Sequence, residues 1–159
     1  MKTVSIARLI VSIVLCQAAG LLGSIFTFSE IPTWYAGLAK PWFTPPNWLF
    51  GPVWIMLYTL MGISLCFVWN KGFGERKAKT AGIVFAVQLA LNAVWSILFF
   101  GLHNPLYGLA GIIALWIAIA ATIVKFYPIS RKAALLLIPY IAWVSIATAL
   151  NYSVWVLNP

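Results

Sequence analysis

Five apolar runs dominate this 159-residue chain, and each is close to the roughly 20 residues that a helix needs to cross a bilayer. We predict helices over about residues 4–28, 46–69, 78–100, 106–127 and 133–157. Inside a bilayer only helices and closed barrels satisfy their own backbone groups, and barrel strands would be shorter and alternate in polarity. The runs therefore predict an all-α membrane protein, one domain built as a bundle of five transmembrane helices.

The placement of charge predicts the orientation of this bundle. Charged residues make up 8% of the chain, against about 25% in ordinary soluble domains. Nine of the ten basic residues lie at the N-terminus or in the connections between spans two and three and between spans four and five. Because basic loops stay in the cytoplasm, we expect a cytoplasmic N-terminus and an extracytoplasmic C-terminus. This placement accounts for the net charge of +8 without a nucleic-acid partner.

An aromatic segment, WYAGLAKPWFTPPNWLFGPVW at 34–54, joins the first two runs. Pro41, Pro45 and Pro46 prevent it from continuing as a helix, and it is too aromatic for a solvated loop. The charge pattern places it on the extracytoplasmic side. We predict that it caps a pocket for a flat apolar ligand, with a lid formed by Trp34, Tyr35, Lys40 and Trp42.

Aromatic and polar residues recur at helical spacing on spans two, three and five. The directions of the spans place all these faces in the outer half of the bilayer, beneath the lid. An amide inside a membrane segment usually faces protein or a cavity, although tryptophans also serve as interfacial anchors. Aromatic walls with a few polar groups suit small-molecule binding. The predicted ligand-binding residues are Trp54, Tyr58, Asn92, Trp95, Ser96, Phe99, Tyr140, Trp143, Ala147 and Leu150.

Residues for hydrolytic or metal chemistry are scarce. Glu30 and Glu75 are the only carboxylate side chains, and His103 is the only histidine, so no set of nucleophile, base and orienting group can be assembled. Cys16 and Cys66 lie within apolar runs, where cysteine behaves as a small buried hydrophobe. We expect neither a metal site nor a bound cofactor.

Three motifs are distinctive: WYxxLxKP from Trp34, QLxLNxxW from Gln88, and PYxxW from Pro139. Through them nearly the whole chain resembles the tryptophan-rich sensory protein and translocator protein family (TspO/MBR). The resemblance implies a five-helix bundle that binds protoporphyrin IX or related tetrapyrroles, sterols in some members, and synthetic benzodiazepine and isoquinoline ligands. The proposed cholesterol motif needs a basic residue soon after Tyr152, and none follows, which argues against sterol as the native ligand.

The resemblance leaves the consequence of binding open. Some bacterial members are reported to degrade protoporphyrin in light, and Trp54 and Trp143 are our candidates for such chemistry here. Facilitated transport of porphyrin or sterol-like molecules is the alternative. Gly82, Ala86 and Ala90 on span three have a spacing that permits close helix approach, within the chain or between copies. The resemblance favours a homodimer through this face.

Overall fold

The computed structural model describes residues 5–72 and 74–159, and these form helices and turns without any strand. Five helical spans in this part of the chain are long and apolar enough to cross a membrane. The prediction of an all-α, five-span protein is therefore confirmed. The predicted start of the first span at residue 4 lies outside the described residues, as does Lys2. The helices are α1 (Ile6–Thr27), α2 (Trp34–Gly37), α3 (Asn47–Lys71), α4 (Arg76–Ser96), α5 (Pro105–Phe126), α6 (Arg131–Leu136) and α7 (Ile138–Leu157).

Local chemistry sets several helix ends. The side chain of Asn104 accepts a hydrogen bond from the Tyr107 N–H (3.0 Å) and caps α5, whose first residue is Pro105. The fifth span is divided into α6 and α7 at Leu137. Pro139 follows two residues later, and its ring and missing N–H disturb the helix just before it.

The third span ends in a π-helical turn, Ile97–Gly101. Such turns carry an extra residue per hydrogen-bonded ring and occur often at functional sites. Here the turn holds Phe99 and Phe100 side by side, with ring centroids 4.8 Å apart. Both rings are buried beneath the connection between α1 and α3.

The bundle is held by close helix contacts. Helix α1 packs on α3 and α4, α5 packs on α4 and α7, and α6 packs on α3. Phe85 of α4 and Phe126 of α5 stack with centroids 5.6 Å apart. Ala86 and Ala90 lie on the exposed surface of α4, and Gly82 is partly exposed. A homodimer through this face stays a prediction.

The two ends of the bundle differ in character. At one end Arg8 of α1 donates to the Trp69 carbonyl at the close of α3 (3.2 Å). The basic turns after α3 and α5 lie at this end, which we call the basic end. The other end, the lid end, carries the connection 28–46, which we call the lid and which contains α2. Which end faces the cytoplasm stays a prediction.

Candidate functional site

A cavity of about 700 Å³ lies at the lid end, between the lid and helices α1, α3, α4 and α7. Its size falls within the roughly 300–1,000 Å³ typical of ligand pockets. None of the described side chains that line it is charged. Of the predicted ligand-binding residues, those that line it are Trp54, Tyr58, Asn92, Trp95, Ser96, Phe99, Ala147 and Leu150.

The amide of Asn92 links three helices on the side of the cavity nearest the bundle centre. The Tyr58 hydroxyl donates to Asn92 Oδ1, and Asn92 Nδ2 donates to the Tyr140 hydroxyl oxygen (2.8 Å). All three side chains are buried. Tyr58 and Asn92 line the cavity and Tyr140 lies behind them, so Tyr140 supports the site without lining it.

Two indoles form one wall of the cavity. Trp54 of α3 and Trp95 of α4 have ring centroids 6.4 Å apart and planes inclined by 31°. Phe99 stacks on Trp95 at 5.8 Å and extends the aromatic surface toward the lid. The Trp95 Nε1–H donates to Asn151 Oδ1 (3.1 Å), which satisfies its only polar group and fixes the ring.

Trp143, the second indole predicted for light-dependent chemistry, does not line the cavity. Phe50 of α3 lines the cavity and packs edge-on against the Trp143 ring with centroids 5.9 Å apart. The Trp143 Nε1–H is buried and finds no acceptor among the described residues. In this conformation Trp95, and not Trp143, joins Trp54 at the cavity surface.

Small residues of α1 make room for the cavity. Gly20, Gly23 and Thr27 all line it. A Cβ at Gly20 would stand only 2.3 Å from the Tyr58 ring, so any larger residue would displace that ring. The absence of a side chain at Gly20 therefore permits the position from which Tyr58 reaches Asn92.

The lid contributes Tyr35 to the cavity. Its ring is 6.3 Å from Phe99 and 5.8 Å from Phe100, and its buried hydroxyl has no partner among the described residues. Burial raises the pKa of Tyr35 to about 12, so the phenol stays protonated and can donate to a ligand. The other predicted lid residues, Trp34, Lys40 and Trp42, do not line the cavity.

Lys40 is engaged within the lid itself. Its ammonium donates to the carbonyls of Ala36 (3.2 Å) and Leu38 (3.0 Å). It also lies 4.7 Å from the centre of the Tyr35 ring, within the range of a cation–π contact. Lys40 thus stabilises the fold of the lid. Trp42 points away and is almost fully exposed.

Two sets of contacts fasten the lid to the bundle. Asn158, after the end of α7, accepts from the Ala39 N–H (3.0 Å) and donates to the Ala39 carbonyl (3.0 Å). On the other side His103 Nε2 donates to the Glu30 carboxylate (2.8 Å), and the Trp34 ring stacks on His103 at 4.7 Å. The lid is therefore tied to the chain's last helix and to the turn between α4 and α5.

Some lining residues were absent from the sequence prediction. Phe50 lies one and two turns before Trp54 and Tyr58, so its helical spacing would have indicated it. Asn158 holds the lid without lining the cavity, and no sequence pattern indicates it, because its partner is the Ala39 backbone 119 residues away. The other lining residues outside the predicted ligand-binding and lid residues are Gln17, Gly20, Leu21, Gly23, Ser24, Thr27, Phe28, Ile31, Pro32, Asn47, Trp48, Gly51, Ile55, Phe100 and Asn151.

Comparisons with known proteins agree along most of the chain. The model of the TspO/MBR family matches residues 12–156. The tryptophan-rich protein TspO of Archaeoglobus fulgidus is 53% identical over 97% of this chain and 99% of its own length. The protein CrtK of Rhodobacter capsulatus is 41% identical over 98% of this chain and 95% of its own. The translocator protein of Homo sapiens is 43% identical over 84% of this chain and 80% of its own length.

Proposed function

The chain belongs to the TspO/MBR family of multi-pass membrane proteins, and we propose that it binds a tetrapyrrole of the protoporphyrin IX type in the cavity beneath the lid. The observation that carries this proposal is the aromatic wall formed by Trp54, Trp95 and Phe99. A flat macrocycle stacks favourably on such a surface, with about 0.5–1.5 kcal/mol per good aromatic contact beyond burial.

The polarity of the cavity supports a largely uncharged ligand body. Its polar lining groups are amides, hydroxyls and indoles, with no charged side chain among the described ones. The carboxylates of a porphyrin would therefore remain at the rim. Asn47 and Trp48 lie there in the first turn of α3, where backbone N–H groups lack helical acceptors and favour anions. Uncharged aromatic compounds of the benzodiazepine and isoquinoline type fit the same lining.

A titration in lipid nanodiscs tests the proposal. Protoporphyrin IX should quench the tryptophan fluorescence of the wild type to saturation at one ligand per chain. Trp95→Ala should weaken affinity by about tenfold, since loss of a stacked indole costs on the order of 1–3 kcal/mol. Trp116→Ala is the matched control, because Trp116 lies outside this cavity. Equal affinities for the wild type and Trp95→Ala would contradict the proposal.

Light-dependent degradation of the bound porphyrin is a second candidate, favoured by the two indoles at the cavity surface. A photoexcited porphyrin can accept an electron from an adjacent indole, which leaves an indole radical cation and a porphyrin radical anion for reaction with dioxygen. Because Trp95 lines the cavity and Trp143 does not, Trp95→Phe should slow the light-dependent loss of porphyrin more than Trp143→Phe does. Product analysis after illumination, with porphyrin affinity measured in parallel, distinguishes slower degradation from weaker binding. Equal slowing by both variants would mean that Trp143 reaches the ligand.

A further inference from the structure

Helices α1 and α3 are in close contact near the middle of the bundle. A Cβ at Gly62 of α3 would come within 2.6 Å of Ile13 Cα in α1. Nearer the lid, Gln17 Nε2 donates to the Ile55 carbonyl (3.0 Å) and to Thr59 Oγ1 (3.0 Å). These contacts close the space between the two helices up to the depth of Gln17.

Beyond Gly20, which still lies against the Tyr58 ring of α3, the two helices separate. At Gly23 of α1 the nearest neighbours of an added Cβ belong to α4: Ser96 Oγ at 3.1 Å, and then Ala93. At Gly51 of α3, an added Cβ would meet no heavy atom within 4 Å in the described chain. Helix α1 therefore packs on α4 at this level and leaves a gap beside α3.

The residues beside this gap line the cavity and also face outward. Leu21 is 68% exposed and Phe28 83% exposed on the α1 side, while Trp48 is 72% and Ile55 62% exposed on the α3 side. Leu21 lies six residues before the end of α1, about 9 Å along the helix axis. In a helix that crosses the bilayer, an outward side chain at this depth is expected to contact acyl chains. We call the gap bounded by these four residues and Gly51 the lateral opening.

The lid closes the end of the cavity that faces water. Two hydrogen bonds join the Asn158 amide to the backbone of Ala39, and the His103–Glu30 pair holds the other side of the lid. Tyr35 fills the space under the lid against Phe99 and Phe100. Entry from water would require breaking these contacts, whereas the lateral opening already exists with the lid in place.

We propose that ligands enter and leave the cavity through the lateral opening, from the leaflet on the lid side. This inference rests on the proposed function, because it concerns the ligand of that same cavity. The ligands concerned are membrane-dissolved aromatic molecules without charge on the part that passes between the helices. The hydroxyl of Ser24, at the opening, already donates to the Leu21 carbonyl (2.7 Å), so the passage presents mainly apolar groups.

The test measures exchange between bilayer and cavity within one nanodisc. The probe is protoporphyrin IX dimethyl ester, an uncharged porphyrin preloaded into the lipid. After a temperature jump, tryptophan quenching relaxes at the rate of exchange. Gly51→Phe should slow this relaxation by about tenfold, a barrier increase of roughly 1.4 kcal/mol, with association and dissociation slowed together. Gly37→Phe is the matched control, since Gly37 also has open space around it but does not line the cavity.

Two further variants complete the test. Leu21→Trp narrows the opening from the α1 side and should slow exchange as well, which keeps the test decisive if Gly51→Phe fails to fold. Asn158→Ala loosens the lid and should leave the rate unchanged. Unchanged exchange in both narrowing variants, or faster exchange in Asn158→Ala, would overturn the lateral route while leaving the binding site intact. Absence of quenching in the wild type would instead refute the proposed function, and the route with it.

Discussion

The side-chain amide of Asn158 accepts a hydrogen bond from the Ala39 N–H and donates one to the Ala39 carbonyl, both at 3.0 Å. We call this pair of hydrogen bonds the bracket. The same Nδ2 also donates to the Val154 carbonyl one turn back in α7 (2.7 Å). The bracket is thereby anchored to a helix. A residue next to the end of the chain thus holds the middle of the lid.

Asn158→Ala should loosen the lid without unfolding the bundle. Each lost hydrogen bond contributes about 0.5–1.5 kcal/mol, so exchange of the Ala39 amide hydrogen should accelerate by roughly tenfold. Hydrogen exchange followed by mass spectrometry measures this. Amides in the middle of α5 serve as the internal control and should not change. Undiminished protection at Ala39 would show that the bracket does not hold the lid.

Asn92→Leu should destabilise the bundle more than Tyr140→Phe. The first substitution leaves the buried hydroxyls of both Tyr58 and Tyr140 without their partner, and each unsatisfied group costs about 1–3 kcal/mol. Unfolding in mixed micelles of increasing denaturing detergent gives the difference.

The double variant provides the control for this comparison. Because Asn92 and Tyr140 share a hydrogen bond, their effects should not add. Strict additivity would mean that the bond contributes nothing measurable to stability.

Gly20→Ala should weaken both stability and ligand binding. The added methyl would overlap the Tyr58 ring, which must move and lose its bond to Asn92; overpacking of this kind costs about 1–3 kcal/mol. Gly37→Ala is the control, since its methyl would enter open space and Gly37 does not line the cavity. A melting temperature and porphyrin affinity equal to the wild type in Gly20→Ala would show that the ring adapts at no cost.

Orientation in the membrane can be measured directly. The concentration of basic residues at the end opposite the lid predicts that the lid faces away from the cytoplasm. Ala36→Cys should react with an impermeant thiol reagent added to intact cells, and Gly74→Cys should react only after lysis. Both native cysteines are buried, so the background is low. The reverse labelling pattern would invert the topology.

Sequence patterns predicted the structure best where the length and repeat of a helix determine which residues lie together. The apolar runs predicted the five spans, and helical spacing placed Trp54, Asn92 and Trp95 on faces that do meet at one cavity. Spacing could not show that Phe50 lies between the cavity and Trp143, since that depends on how α3 sits against α7. The lid was the hardest part to predict from the sequence, because its contacts join side chains to distant backbone groups.

Lys40 in the lid and His103 in the turn between α4 and α5 illustrate the same limit. Lys40 has a charge and position that suggest a ligand anchor, yet its ammonium is occupied by carbonyls two and four residues before it. His103 lies in a turn with a positive φ of 50°, a conformation uncommon for residues other than glycine. Its partner Glu30 lies 73 residues away. Neither arrangement follows from composition or periodicity.

The central claim, that the cavity beneath the lid holds the porphyrin, is tested most directly by filling the cavity. Ala147 lines it from α7, whereas Ala149 lies two residues on, exposed and outside the lining. Protoporphyrin IX affinity should therefore fall by about tenfold or more in Ala147→Phe and remain at the wild-type value in Ala149→Phe, with both variants folded by circular dichroism. Wild-type affinity in a folded Ala147→Phe protein would place the porphyrin elsewhere and contradict the account.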